Sequence, residues 1–359
     1  MKRLITITAA FVFLTTALFG CVQETAVLSS EVITEKEIPV EDENPSDTEK
    51  IKIVCTVFPQ YDWVRQILGE RADDAELTLL VNNGIDLHSF QPAVDDIVKI
   101  SECDLFIHVG GESDEWVDDA LKEATNPDMV VISLLEAAGD KAKLEEIREG
   151  MEDDEHDHSH EGDQEDHDEE HEEGGEHEDE EVFDEHVWMS LRNAQALCSV
   201  IADKLSEFDP ANADEYKNNL FDYNEKLNVL DMSYIEAVSA APIRTLLFGD
   251  RFPFRYLVDD YDLDYYAAFP GCSAETEASF DTIIFLAGKM DELSLKNIMV
   301  TESANKSIAQ TIIDSTAEKD QQILVLDAMQ SVTSEDVASG ATYISIVESN
   351  LNILKNALK

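Results

Sequence analysis

The chain has 359 residues, enough for two domains of ordinary size, because single hydrophobic cores usually stop growing well short of that length. Its 43% apolar residues, with only 14 Gly and 9 Pro, exclude wholesale disorder and collagen-like order. With 79 acidic residues against 25 basic ones, the formal net charge is −54; phosphate backbones and anionic headgroups are repelled, nucleic acid is excluded as a partner, and a cationic ligand is favoured.

Lys2 and Arg3 precede an apolar run from Leu4 to Leu14, which is followed by Leu18-Phe19-Gly20-Cys21. A basic start, an apolar middle and a small residue at the cut site read as a signal peptide over residues 1–20, not as a spanning helix. The Leu-x-Gly-Cys ending resembles the lipobox of bacterial lipoproteins. That resemblance implies that Cys21 becomes the first mature residue, carries lipid and anchors the protein on the outer side of the cell membrane; acyl chains contribute about 0.8 kcal/mol per buried CH2, enough without a basic patch. Residues 21–50, rich in Glu, Ser, Thr and Pro, suit a solvated tether.

From Ile51 short β-branched runs alternate with amphipathic stretches. Strands are expected at Ile51–Val57, Leu77–Val81, Asp104–Val109 and Met129–Ile132, with helices such as Tyr61–Leu68 and Ala93–Ser101 between them. A second series, Thr245–Phe248, Tyr265–Phe269, Asn297–Val300 and Ile323–Leu326, repeats the rhythm with helices at Phe254–Asp260, Thr276–Asp291 and Ile308–Ala317 and a closing helix from Glu335 to Leu358. The fold class is therefore α/β, with two open, mainly parallel sheets. The first lobe takes residues 51–190 and the second 241–359. A long helical stretch, 191–240, joins them; Tyr216, Leu220, Tyr223, Leu227 and Leu230 mark its inward face, and Asp209-Pro210 a helix start inside it. Open α/β sheets bind ligands beyond the carboxyl ends of their strands, which places a site between the lobes.

The insert Glu152–Glu181 holds 19 Asp or Glu and 6 His in 30 residues, with no Lys, Arg or aliphatic residue. It cannot bury a core and reads as a disordered loop. His156, His158, His160, His167, His171 and His177, set among carboxylates, supply many weak sites for borderline divalent metals, so the loop is expected to collect metal without forming the principal site. Cys55, Cys103, Cys198 and Cys272 include no CxxC pair; each reads as a buried small apolar residue, although export leaves disulfide pairing open.

Three histidines remain. His108 ends an apolar run and reads as a hydrogen-bonded structural residue. His88 lies in Asn83-Gly84-Ile85-Asp86-Leu87-His88-Ser89-Phe90-Gln91-Pro92, a loop after a strand and before a helix, where ligands are placed. His186 lies in Asp184-Glu185-His186-Val187-Trp188-Met189-Ser190-Leu191-Arg192-Asn193-Ala194, between the insert and the long helix.

Gly84–Pro92 resembles a G-x-x-x-H-x-[FY]-x-P motif, and Asp184–Ala194 a D-x-H-x-W-x-x-x-x-N-A motif, of the zinc- and manganese-binding solute-binding lipoproteins of bacterial ABC importers. The resemblance covers roughly Lys52 to Lys359, and the acidic His-rich insert resembles that of the zinc branch. It implies two α/β lobes joined by a long rigid helix, a metal site in the cleft with one ligand from each of four segments, and delivery to an ABC permease by a monomer. His88 and His186 match the first two ligands, and Asp327, in Leu324-Val325-Leu326-Asp327-Ala328-Met329, the fourth.

At the third position the match fails, because counting back from Tyr261 lands on Arg251. Arg cannot ligate; a guanidinium about 5 Å from a dication would be repelled by about 6 to 7 kcal/mol at an effective dielectric of 20, before screening. Arg251 is therefore expected to turn away, to pair with an acid such as Glu302, or to change what the site binds. Asp250 is the substitute carboxylate, although it also reads as a helix cap; Cys272 and Glu302 are outside candidates. Asp86 and Asp184 are candidate acceptors for the free imidazole nitrogens. The insert favours zinc, with manganese as the alternative. The absence of HExxH, GxSxG and Walker-type glycine loops argues against an enzyme, and a metal-stabilised surface adhesin is a further alternative.

Overall fold

Short apolar runs become two four-stranded sheets, every pairing parallel, in a computed structural model that describes residues 50–152, 182–273 and 277–359. The first lobe runs β1 (Lys52–Cys55), α1 (Phe58–Leu68), β2 (Glu76–Leu79), α2 (Val94–Glu102), β3 (Leu105–His108), α3 (Trp116–Lys122), β4 (Val130–Ser133) and α4 (Leu134–Ala138), with strand order β2-β1-β3-β4. Ile53 faces Leu77 on one side and Leu105 on the other, and Phe106 pairs with Val131. Central strands covered on both faces need such continuous apolar sequence.

Residues 191–240 are not one helix. The structure makes them α5 (Leu191–Phe208) and α6 (Ala213–Ala240), separated by a 3-10 turn at Pro210–Asn212, and the two helices pack on each other as a hairpin. Pro210 has no N–H and its ring clashes with a continuing helix, so the chain turns there. Asp209 fixes the break by accepting hydrogen bonds from Asn212 Nδ2 at 2.6 Å and the Tyr216 hydroxyl at 2.8 Å. Helix α6, about 42 Å long at 1.5 Å per residue, buries Tyr223, Leu227, Leu230 and Tyr234 and packs on α1 of the first lobe.

The second lobe repeats the order: β5 (Thr245–Arg251), α7 (Arg255–Tyr261), β6 (Asp264–Phe269), α8 (Phe280–Leu293), β7 (Asn297–Val300), α9 (Ser307–Ser315), β8 (Gln322–Val325), α10 (Ser334–Ala338) and α11 (Tyr343–Ala357), with strands β6-β5-β7-β8. The expected closing helix is interrupted at Gly340, whose φ of 98° is open to glycine at little cost. Helix α11 packs on α6, and the Tyr234 hydroxyl donates to the Val347 carbonyl at 2.7 Å.

One apolar cluster runs from Ile53 and Trp63 through Trp188 and Leu227 to Phe248, Tyr265 and Leu354, crossing both lobes. A smaller cluster, including Leu286, Ile298 and Ile312, packs against the second sheet alone. The lobes thus share a core and belong to one compact unit, residues 49–359. Among the described residues no helix is long and apolar enough to cross a membrane, and Cys55, Cys103, Cys198 and Cys272 are free thiols, the first three buried.

The signal peptide, Cys21, the tether up to residue 49 and the insert histidines His156, His158, His160, His167, His171 and His177 lie outside the described residues. The flanks of the insert are tied down: Leu144 bridges Phe183, Glu145 N donates to the Val182 carbonyl at 2.9 Å, and Glu152 N donates to the Ala268 carbonyl at 2.9 Å.

Candidate metal centre

His88 is carried on a 3-10 turn, Leu87–Ser89, beyond β2, and Asp86 caps that turn by accepting the His88 N–H at 3.1 Å. His186 sits just before α5, where Asp184 Oδ1 accepts both its backbone N–H and its Nδ1, each at 2.9 Å. Trp188, two residues on, is fixed from both sides: its indole N–H donates to the Ala328 carbonyl at 2.8 Å, and its carbonyl accepts the Tyr343 hydroxyl. Cys272 lies beyond β6 and Gln330 beyond β8. His88, Cys272 and Gln330 all follow the carboxyl ends of parallel strands, where open sheets place ligands. Gly271 makes the close packing possible, since a Cβ there would stand 2.9 Å from the Phe252 carbonyl and 3.3 Å from His186 Cε1.

The two imidazoles meet through their Nε2 atoms, 3.3 Å apart, and the Gln330 amide nitrogen lies 2.9 Å from one and 2.8 Å from the other. Both outer nitrogens are committed elsewhere, His88 Nδ1 to the Ser113 hydroxyl at 2.5 Å and His186 Nδ1 to Asp184. If each Nδ1 carries the proton and donates it, both Nε2 lone pairs are left aimed at one point, now capped by an amide donor. His88, His186 and Cys272 offer ligand atoms that all lie within 4.8 Å of one another. Two nitrogens on a tetrahedral ion, each about 2.0–2.1 Å from the metal, stand about 3.3–3.4 Å apart. The observed separation matches that edge.

Three expectations change. Asp250 is not part of this cluster; its Oδ2 accepts from Thr301 N at 2.9 Å and Thr301 Oγ1 at 2.5 Å, tying β5 to the end of β7. Asp327 is not part of it either. Its Oδ1 caps the loop by accepting Met329 N at 2.8 Å, and the side chain lines, with Glu302 and Asp336, a cavity of about 350 Å³ that neither histidine lines. The loop that Asp327 opens brings in Gln330 three residues later instead. Arg251 pairs with an acid, but the acid is Asp86: Nη2 to Oδ2 at 2.7 Å, with Nη1 3.5 Å from Oδ1. Glu302 instead accepts the backbone N–H groups of Ala328 and Gln330, at 2.7 and 3.0 Å, and so shapes the loop that presents Gln330.

Of the two candidate acceptors, Asp184 holds the His186 ring, whereas Asp86 holds only the His88 backbone. Behind His88 stands Glu185, which accepts Ser113 N at 2.8 Å and is 1% exposed; its Oε2 has no hydrogen-bond partner among the described residues and lies 3.8 Å from His88 Nδ1. Gly111 leaves room for this carboxylate, because a Cβ there would come within 2.6 Å of Glu185 Oε1. His108 fills its expected structural role, stacked on Phe106 and 3.3 Å from Asp114.

The electrostatics follow from burial. Burial, and then the neighbouring His186, pushes the His88 imidazole down to about 3. His186 is also pressed down by burial, but Asp184, with Glu185 and Asp86, more than offsets this and its pKa ends above the ordinary value. Burial lifts Glu185 to about 7, and lifts Glu302 to about 7 with help from Asp327. The Cys272 thiol is pushed well up by burial and then by Asp184, Glu185 and Glu145, so that a cation is needed to hold it as thiolate.

The family model described as zinc-uptake complex component A, periplasmic, matches residues 53–357. The chain belongs to this family. Among curated relatives, the zinc-binding lipoprotein AdcA of Streptococcus pneumoniae serotype 4 is 31% identical over 306 residues, covering 85% of this chain and 55% of that protein. The high-affinity zinc uptake system protein ZnuA of Bacillus subtilis is 28% identical over 313 residues, covering 87% and 89%. The chain therefore spans about half the length of its AdcA relatives and most of its ZnuA relative. Among solved structures, the Zn(II)-bound ZnuA-like domain of S. pneumoniae AdcA superposes with a TM-score of 0.64 at 28% identity, covering 86% of this chain and 99% of that one. This family member thus has the expected two-lobed α/β fold of its zinc-bound neighbour.

Proposed function

We propose that this chain is the extracytoplasmic component of an ABC uptake system, a monomer anchored through Cys21 that captures zinc and hands it to a membrane permease. His88, His186, Cys272 and Gln330 are its protein ligands. The observation that carries this reading is the 3.3 Å separation of two Nε2 atoms whose outer nitrogens are already held. That separation matches the edge of a tetrahedral zinc site, and the bonds to Ser113 and Asp184 are the supporting hydrogen bonds such a site uses.

Gln330 fills the fourth corner. A half-turn of its terminal amide exchanges the donating NH2 for the carbonyl oxygen and completes the donor set. A site closed by four protein donors suits carriage and not catalysis. A thiolate and two imidazoles favour zinc over manganese, which prefers carboxylate, carbonyl and water oxygens. Both sulfur and imidazole therefore argue against the manganese alternative. The acidic insert acts as a collector, its six histidines binding metal weakly and interchangeably.

Elemental analysis of purified, dialysed protein tests the reading, combined with competition titration against a zinc-chelating dye. Wild type is expected to retain one tightly held zinc. His88→Ala and His186→Ala are each expected to lose it while melting as cooperatively as wild type. Retention of tight zinc by both variants would overturn the assignment.

A further inference from the structure

The metal centre has a cationic neighbour that it does not use. Arg251 ends β5 in the second lobe, at the position where the resemblance implies a metal ligand, and the β5–β6 register shifts between Phe248 and Arg251. That irregularity lets the strand end re-aim a side chain. The guanidinium reaches across to Asp86 of the first lobe, with both side chains mostly buried, at 17% and 13% exposure. Asp86 divides its oxygens: Oδ2 takes the short bond to Arg251, and Oδ1 caps the turn that carries His88. A chain of contacts therefore runs from the second sheet, through one ion pair, to the backbone of a proposed ligand.

We infer that the Arg251–Asp86 pair is a latch between the lobes that positions His88 against His186 before any metal arrives. In a site whose third protein ligand comes from β5, the metal itself ties that strand to the first lobe. Here the tie is present in the protein alone. A forked guanidinium on a carboxylate fixes orientation as well as distance, and partial burial spares the pair the screening that weakens surface ion pairs. Arg251 is thus a positioning residue, and its consequence is slow metal release. The Ser334 N to Asn82 carbonyl bond, at 2.8 Å, and the Gln330 amide, 2.9 Å from the His88 ring, also cross between lobes, but among the described residues only Arg251 reaches across to the residue that caps the His88 turn.

The inference rests on the metal-centre reading, so its test has one readout that needs zinc and one that does not. Full-length wild type, Arg251→Met, Arg251→Lys, Asp86→Asn and the Arg251→Met/Asp86→Asn double variant are compared after thermal melts establish that each folds. Zinc release into excess chelator, followed by stopped flow, is expected to quicken about tenfold or more in Arg251→Met and in Asp86→Asn, the size usual for removing a group that holds a ligand. The double variant is expected to be no worse than either single one, and Arg251→Lys to recover part of the loss. In metal-free protein, amide exchange across residues 83–92 is expected to rise in both charge-removing variants. If wild type holds no zinc, the metal-centre reading fails and the exchange experiment alone decides the latch. Unchanged exchange in that segment, or release rates within about twofold of wild type, would overturn the latch.

Discussion

Gln330 donates its amide to the two imidazole nitrogens that a metal would need, so the side chain both fills the site and blocks it. Gln330→Glu removes that donor and adds a hard anionic oxygen. The expected result is a rise in manganese affinity relative to zinc, measured by competition between the two ions. Cys272→Ser is expected to weaken zinc and to abolish the thiolate-to-metal charge-transfer absorption of the cobalt(II)-substituted protein, while both imidazoles stay in place. The pH dependence follows from the shifted histidines. His88, held near 3, is already neutral at working pH and contributes no loss. His186 is raised, so below its pKa zinc must displace a proton from it, and from the Cys272 thiol as well. Zinc affinity is therefore expected to fall with decreasing pH, beginning above the usual imidazole value of about 6.5. Titrations between about pH 5 and 8 check this, and a flat profile down to the ordinary imidazole range contradicts it. His88 and His186 were legible in the sequence because each stands in a loop motif whose neighbours, Gly84 and Trp188, have distinctive jobs. Gln330 and Ser113 were not, because a neutral polar residue in a loop carries no compositional signal. Cys272 was visible only as an outside candidate, since nothing in Pro270-Gly271-Cys272-Ser273 reveals that Gly271 lets it pack against His186.

Elements were more readable than side chains, and they erred where local chemistry overrides periodicity. The expected strands lie within a few residues of β1–β8, because covered parallel strands leave unmistakable apolar runs. Asp209-Pro210 marked a helix start inside the stretch 191–240, as found, yet did not reveal that the backbone folds back there, and Asp209 bonding to Asn212 and Tyr216 shows why it does. The resulting hairpin rests on its buried seam. Leu227→Ala, at a fully buried position on α6, is expected to cost about 2–5 kcal/mol in denaturant unfolding. Gly111→Ala probes the turn after β3: φ is 88°, and the new Cβ would collide with Glu185. A cost of about 1–3 kcal/mol is expected from the backbone alone, together with weaker zinc binding as Glu185 and Ser113 shift away from His88. Equal stability and affinity to wild type would show that this turn does not support the site.

Across the whole molecule, a core shared by both lobes and an ion pair between them set the proposed metal centre into a preformed frame, and the flanks of the insert are tied down at Glu145–Val182 and Glu152–Ala268. Removing residues 152–181 is expected to lower the number of weakly bound zinc ions by several and to leave one tight site, as read by calorimetry. Loss of the tight site on that deletion would move the principal binding to the insert. The most direct test of the centre itself is zinc K-edge X-ray absorption on the full chain loaded with one equivalent of zinc. One sulfur at about 2.3 Å, two imidazole nitrogens at about 2.0–2.1 Å and the Gln330 oxygen at about 2.0–2.2 Å are the expected coordination. A shell of nitrogen and oxygen alone, with no sulfur, would contradict the assignment of Cys272 alongside His88 and His186.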